Sequence, residues 1–266
     1  MTKTILVTGS TDGIGMEAAK RLMANGHRVL LHGRSQPKLD AVVEELSSLT
    51  GGERIECYVA DLSRLADVED LAIAVIENHK NIDVLINNAG VLRTSETLAE
   101  GGLDVRFVVN TIAPYLLTKQ LMPTLSATGR VINISSAAQS PVDLQAVLGK
   151  KRLAEMDAYA QSKLALIMWS NHLSQGRDSH QPAIISVNPG SLLASKMVRE
   201  GFGIAGNDIG IGADILCRVA LSDEFADASG RYFDNDSGQF AAPHPDAMSA
   251  DKSKAVVETI EGILAR

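Results

Sequence analysis

The stretch TILVTGSTDGIG, residues 4–15, sets three glycines directly behind a short β-branched run. Thr4–Thr8 reads as a strand, and Met16–Asn25 carries apolar residues at helical spacing. Gly9, Gly13 and Gly15 fall in the turn between them, spaced G-x-x-x-G-x-G. A turn without side chains lets backbone amides approach a pyrophosphate at the positive end of a helix. Glycines also serve tight turns that bind nothing. The position behind the first strand favours a nucleotide loop, lined by Gly9, Ser10, Thr11, Asp12, Gly13, Ile14 and Gly15.

Outward from this loop the same alternation continues. Short runs recur at Val29–His32, Arg54–Val59, Val84–Asn87, Arg130–Ile134, Ala183–Val187 and Arg231–Phe233. Amphipathic stretches such as Pro37–Leu49 and Leu65–His79 lie between them. Strands alternating with helices predict parallel strands joined by right-handed crossovers. The expected fold is one α/β domain over residues 1–266, doubly wound, with a mostly parallel seven-stranded sheet flanked by helices. The tail also reads as a helix, capped by Ser249, with Val256, Ile260, Ile263 and Leu264 on one face.

Composition narrows the function. Apolar residues make up 45% of 266 residues and charged residues 21%, which is globular usage. The net charge of -7 disfavours broad binding to nucleic acid or to anionic membranes. Cys57 and Cys217 are far apart and have no metal-ligand spacing, so free thiols and no metal site are expected. No apolar run is long enough to span a bilayer. A soluble, cytoplasmic protein is the expectation.

The end of the second strand bears on the choice of nucleotide. An acid there usually grips a free ribose 2′-hydroxyl. This chain instead reads LLHGRS, with Arg34 in that place. A guanidinium suits a 2′-phosphate, so NADP(H) is preferred and NAD(H) is the alternative. Arg34 as a plain solvated cation is the competing reading, and Asp12 nearby is unhelpful to an extra phosphate.

Two segments place a lysine four residues after a tyrosine: YLLTK at 115–119 and YAQSK at 159–163. On a helix that spacing stacks both side chains on one face. A free phenol has a pKa of about 10. An ammonium about 5 Å away, at an effective dielectric of about 20, favours the phenolate by about 3 kcal/mol. The expected effect is a drop of roughly two pK units. Spacing alone does not say which pair reacts.

The ordered set of motifs resembles the short-chain dehydrogenase/reductase family. TGSTDGIG is similar to its cofactor loop, and NNAG at 87–90 to its second signature. The resemblance implies that Asp61 and Leu62 flank an adenine and that Asn88, Ala89 and Gly90 line the cofactor. It implies that Pro189, Gly190 and Leu192, in and after NPG, flank the nicotinamide, with Ser195 nearby. It assigns the catalytic set to Asn110, Ser136, Tyr159 and Lys163, with Tyr159 and Lys163 also on the cofactor. Ser136 is chosen over Ser135 because the family pattern places the serine second. Asn110 is implied to hold a water linking Lys163 to solvent. Tyr115 falls where the family has a bulky apolar residue, so it is expected in the core, within a helix 105–125, with Lys119 solvated. The long gap between Ser136 and Tyr159, and GRYF at 230–233, are similar to the retinol dehydrogenase subgroup.

The implied activity is interconversion of a ketone, aldehyde or quinone with its alcohol by hydride transfer. The retinoid-active relatives are commonly membrane-anchored, so retinol is not the expected substrate. The segment of about 191–212 mixes apolar residues, Phe202 among them, with glycines. It reads either as a mobile substrate lid over an apolar pocket or as a self-packed surface loop. The insertion 137–157 reads as a pocket wall or as surface cover. Homodimers or homotetramers paired through the helices holding Asn110 and Tyr159 are the implied assembly. Two rival functions are a non-catalytic NADP(H) sensor and an epimerase or dehydratase that retains its cofactor.

Overall fold

Branched runs become strands that feed two cores from alternate side chains. β1 (Thr4–Val7) sends Leu6 to one face and Ile5 and Val7 to the other. β2 (Arg28–Gly33) does the same with Leu30 against Val29 and Leu31. β3 (Ile55–Val59), β4 (Ile82–Asn87), β5 (Leu125–Ile134), β6 (Ala183–Asn188), β7 (Tyr232–Asp234) and β8 (Gln239–Ala241) complete the sheet. Strands apolar on both sides belong to a sheet covered on both faces. The computed structural model describes residues 1–50, 55–176 and 181–266; Arg54 and the side chains of Leu49 and Phe202 lie outside the described residues.

The spatial order is β3-β2-β1-β4-β5-β6-β7-β8. All neighbours are parallel except β7 and β8, which form an antiparallel pair. The eighth strand corrects the expected seven. Gln239–Ala241 is too short to carry a periodic signal. It is held by Phe240, which packs against Phe225 and Phe233 at 5.3 and 5.2 Å between ring centroids. The chain runs from β1 out to β3 and then returns to β4 on the other side of β1. The crevice beyond the ends of β1 and β4 is where open α/β sheets bind ligands.

One face carries α1 (Gly13–Ala24), α2 (Gln36–Thr50) and α9 (Ile209–Leu221). The other carries α3 (Leu65–Asn78), the short α4 (Val105–Phe107), α5 (Ala113–Leu121), α6 (Leu144–Val147), α7 (Glu155–Ser174) and α10 (Ala250–Leu264). α8 (Lys196–Phe202) sits in the segment after β6. The helix expected over 105–125 is interrupted and shorter. A π-helical turn at Val108–Ile112 joins α4 to α5, and β5 already starts at Leu125. Pro114 has no N–H, so Asn110 lacks the ordinary helical donor to its carbonyl.

Ser249 caps α10, accepting the Lys252 N–H at 3.3 Å. Val256, Ile260 and Ile263 are buried as the sequence pattern requires. α10 packs against α7 and reaches α5 through Glu261, which accepts from both Tyr115 Oη and Lys119 Nζ. Tyr115 is 1% exposed and meets Trp169 edge-on at 5.6 Å. The first tyrosine–lysine pair is therefore a brace for the C-terminal helix, and Lys119 is paired rather than simply solvated. The chain covers with its own α10 part of the α5–α7 face through which copies were expected to pair.

Removing the Glu261 carboxylate leaves the buried Tyr115 hydroxyl without its acceptor. Glu261→Ala should cost about 1–3 kcal/mol of unfolding free energy. Urea denaturation reads this as a lowered midpoint at unchanged slope. Most of the loss comes from Tyr115, because the partly exposed pair with Lys119 contributes little.

Candidate active site

The crevice is built on a seam between two loops. Thr8 Oγ1, just past β1, accepts the N–H groups of Asn88 and Ala89 at 3.0 and 3.1 Å. Asn88 Nδ2 returns bonds to the carbonyls of Thr8 and Gly9 at 2.9 and 3.0 Å. Gly9 adopts φ +65, and a Cβ there would lie 2.9 Å from Ala89 Cα. A Cβ on Gly15 would meet Asn88 Nδ2 at 2.3 Å and Gly9 O at 2.4 Å. These glycines are required by close approach of backbone to backbone. Thr8 and Asn88 are thereby committed to the seam.

A second buried clamp ties the loop to β2. Ser10 Oγ accepts the His32 N–H at 2.9 Å, and Ser10 N–H donates to His32 O at 2.9 Å. His32 Nδ1 accepts the Gly9 N–H at 3.1 Å, so its other nitrogen carries the proton and donates to Ala60 O at 3.2 Å. Burial pushes His32 down from 6.5 to about 4. His32 looked like one more position in a strand, and only its polarity inside an apolar run could have marked it.

The remaining loop positions divide. Asp12 caps α1, accepting the Gly13 N–H at 2.7 Å, so its charge stands where a pyrophosphate would approach. Thr11 packs over Gly33, where a Cβ would meet Thr11 Cγ2 at 2.5 Å. Ile14 packs on the α1–α9 core. Arg34 is exposed and forms no ion pair among the described residues. Asp61 accepts from Ser63 N and Oγ in a turn ahead of α3. Leu62 is buried in the core, so only its backbone can face a ligand.

The second tyrosine–lysine pair opens onto the crevice. α7 carries YAQSK, and each polar side chain in it has a separate task. Ser162 Oγ donates to Tyr159 O at 2.7 Å and accepts from Asn110 Nδ2 at 3.0 Å. Gln161 Oε1 accepts the Asp143 N–H at 2.9 Å and pins the insertion 137–157 to the helix. The insertion is more than solvated cover: Ala146 and Val147 are buried, and Arg152 donates to Gly102 O at 2.9 Å. At the start of α7, Glu155 accepts at 3.0 Å from Arg106, which is 1% exposed and also holds Asp104 and Leu92 O.

Ser135 and Ser136 differ in what their hydroxyls are bound to. Ser135 Oγ is spent on Lys163 O at 3.0 Å. Ser136 Oγ accepts the Ala138 N–H at 3.1 Å, and the Ser136 side chain lowers the Tyr159 phenol against the effect of burial. Asn110 commits its side chain to bracing. Its Oδ1 accepts the Val91 N–H at 2.8 Å and its Nδ2 donates to Val91 O and Ser162 Oγ. The side chain staples the loop after β4 to α7, which leaves only its backbone carbonyl for a relay.

Electrostatics correct one expectation. Burial pushes the Tyr159 phenol above its ordinary value, and the Ser136 side chain only partly opposes this. Burial also pushes Lys163 down to about 8. Lys163 Nζ lies 5.7 Å from the Tyr159 ring centre and donates to Ile134 O at 2.7 Å. The expected two-unit drop counted the Coulomb attraction and left out desolvation, which here dominates.

Past β6, Asn188 Nδ2 donates to Asp234 and Asp236 at 2.8 Å each, fixing the turn that holds Pro189 and Gly190. Leu192 takes φ 54 and is half-exposed. Ala194 N–H bonds Asn207 O and Asn207 N–H bonds Leu192 O, both at 2.7 Å, so the 191–208 segment is pinched at its base. Ser195 caps α8 through Val198 N–H at 3.2 Å. The segment lies over the glycine loops: the Cβ position of Gly90 is 3.8 Å from Met197 Cε, 3.4 Å from Lys163 Nζ and 3.3 Å from Asn110 Oδ1. A side chain at Gly90 would press on Asn110, Lys163 and Met197, so glycine there lets the loop after β4 lie close to α7. With the φ +61 turn at Gly13, these glycines leave backbone rather than side chains to meet a dinucleotide at the crevice.

A family model described as short chain dehydrogenase matches residues 3–204. Human retinol dehydrogenase 13 is 30% identical over 271 residues, covering 95% of this chain and 81% of that protein. A short chain dehydrogenase from Burkholderia cenocepacia J2315, solved in complex with NADP, is 26% identical with TM-score 0.70, covering 89% of this chain and 97% of that one. A protein from Mycobacterium paratuberculosis is 23% identical with TM-score 0.81, covering 98% and 92%, and shares the fold.

The His32 clamp carries a pH dependence. Its neutral form is favoured in the folded state, so its contribution is complete above about pH 6.5 and is lost as pH falls toward 4. Urea midpoints of the wild type should fall across that window. His32→Gln, whose amide can keep both bonds, should fall less steeply; an identical slope would remove His32 as the cause.

Proposed function

The chain belongs to the short-chain dehydrogenase family, in its retinol dehydrogenase-like subgroup, and we propose that it is an NADP(H)-dependent oxidoreductase interconverting an apolar carbonyl compound with its alcohol. The observation that carries this reading is the grouping of Ser136, Tyr159 and Lys163 beside Gly90, in the loop that packs against the glycine loop after β1.

The backbone of Gly9–Gly15, at the start of α1, would hold the pyrophosphate. Arg34 would take the 2′-phosphate through its exposed guanidinium. Asp61, the Leu62 backbone, Ala89 and Gly90 would flank the adenine side, and Pro189, Gly190 and Leu192 the nicotinamide. Bound NADP(H) supplies or accepts the hydride.

The protein's own residues manage the proton and the charge. Tyr159, neutral in its buried setting, is the proton donor to a carbonyl oxygen and the acceptor in the reverse direction. Ser136 hydrogen-bonds the same oxygen and stabilises charge as it builds. Lys163, pushed to about 8, stays mostly protonated at neutral pH and replenishes the phenol's proton along the helix face. Asn110 and Ser162 hold α7 in register with the loop after β4. Apolar Leu192 and Ile204, both half-exposed on the 191–208 segment, suit an apolar substrate.

The reading is tested by NADPH oxidation with purified protein against quinones, aldehydes, ketosteroids and retinal. Tyr159→Phe should lower kcat roughly 10²–10⁴-fold, the range for loss of a general acid. Tyr115→Phe should stay close to wild type, because its partner is Glu261 on the far helix. Equal losses from both would contradict the choice of pair. Arg34→Ala should raise KM for NADPH by about tenfold and leave KM for NADH nearly unchanged, as expected for one charge-assisted contact. An unchanged preference between the two cofactors would remove Arg34 from the site.

A further inference from the structure

The GRYF run, Gly230–Phe233, lies outside the cofactor loops, yet its tyrosine reaches the serine. β7 runs parallel beside β6, with Tyr232 opposite Ser186. Tyr232 is 5% exposed, and its hydroxyl donates to the backbone oxygen of Ser136 at 3.3 Å. Gln139 Nε2 donates to the same oxygen at 3.0 Å. The other end of that amide accepts the His244 N–H at 2.8 Å, which fixes which way it points.

A carbonyl oxygen has two lone pairs, and here both meet side-chain donors. The place matters. Ser135 N–H still bonds Val187 O of the neighbouring strand at 2.8 Å, whereas Ser136 lies past the end of β5. Its hydroxyl is steadied by the Ala138 N–H at 3.1 Å, inside its own turn. The orientation of that turn therefore depends on bonds from outside it. A phenylalanine at 232 would fill the core equally well; only the hydroxyl reaches the serine.

We infer that Tyr232 and Gln139 are positioning residues that clamp the Ser136 peptide so that its hydroxyl faces Tyr159. The inference rests on the reading of Ser136 as the partner of the reacting oxygen. It also supplies a physical reason for the tyrosine in GRYF. Neither residue touches the reacting atoms, so each acts through Ser136 alone.

The test uses the full chain with NADPH and whichever carbonyl compound of the panel it reduces fastest. Tyr232→Phe and Gln139→Met are made in the wild type and in Ser136→Ala. Tyr232→Phe should lower kcat about tenfold, the scale of a small misplacement of a catalytic group, and leave the Kd for NADPH within about twofold. In Ser136→Ala it should cause no further loss. The same fold-loss in both backgrounds, or none in the wild type, would overturn the inference. A second readout needs no residual activity in Ser136→Ala: the Ser136 side chain lowers the Tyr159 phenol, so Tyr232→Phe should move the pH midpoint of alcohol oxidation upward, and an unmoved midpoint counts against the clamp. Gln139→Met provides the same comparisons where Tyr232→Phe fails to fold. If Ser136→Ala alone leaves kcat unchanged, or no panel compound is reduced, the reading of the site fails first, and the clamp falls with it.

Discussion

The structure depends on a single close approach, that of the loop after β1 to the loop after β4. Gly9 and Ala89 come together at a distance no side chain on residue 9 would allow. Four hydrogen bonds then cross the contact, three from Asn88 to Thr8 and Gly9 and one from the Ala89 N–H to Thr8. Backbone groups that a sheet would have satisfied are satisfied by this seam instead, which is how an irregular region stays ordered at the mouth of the sheet. The start of α1 and the loop that reaches Lys163 both take their positions from it. Asn110 extends the same bracing from Val91 to α7, so the helix that holds the phenol is referenced to the loop that would hold the cofactor.

At the centre of the site two effects oppose each other. A cation one helical turn from a phenol favours the phenolate. Withdrawal of both groups from water disfavours every charge. In the chain alone the second effect wins: the phenol is raised and the ammonium lowered. This holds Tyr159 in its protonated form and brings Lys163 down to about 8, still mostly protonated at neutral pH. The pair is a reservoir whose balance an added positive charge would tip toward the phenolate.

Much of this was legible in the sequence because its signals are local. Glycines behind the first strand, period-two runs and the Ser249 cap each act within a few residues. The core place of Tyr115 follows from its position inside an apolar helix. What stayed hidden was long-range or subtractive. β8 is too short for a pattern and exists because Phe240 joins Phe225 and Phe233. His32 sits inside an apolar run and acquires its role from Gly9 and Ala60, far along the chain. The π-helical turn at Val108–Ile112 leaves no periodic trace. Helical spacing places Lys163 near Tyr159 and says nothing of the water both have lost.

The most direct measurement is ultraviolet difference titration of phenol ionisation, in wild type and Tyr159→Phe, with and without NADP⁺. All four tyrosines are raised in the chain alone, so no phenol should ionise below about pH 10 without cofactor. With saturating NADP⁺ one phenol should ionise below that value in the wild type and be missing from Tyr159→Phe. The same absorbance curve with and without NADP⁺, or an early-titrating phenol that survives in Tyr159→Phe, would contradict the account.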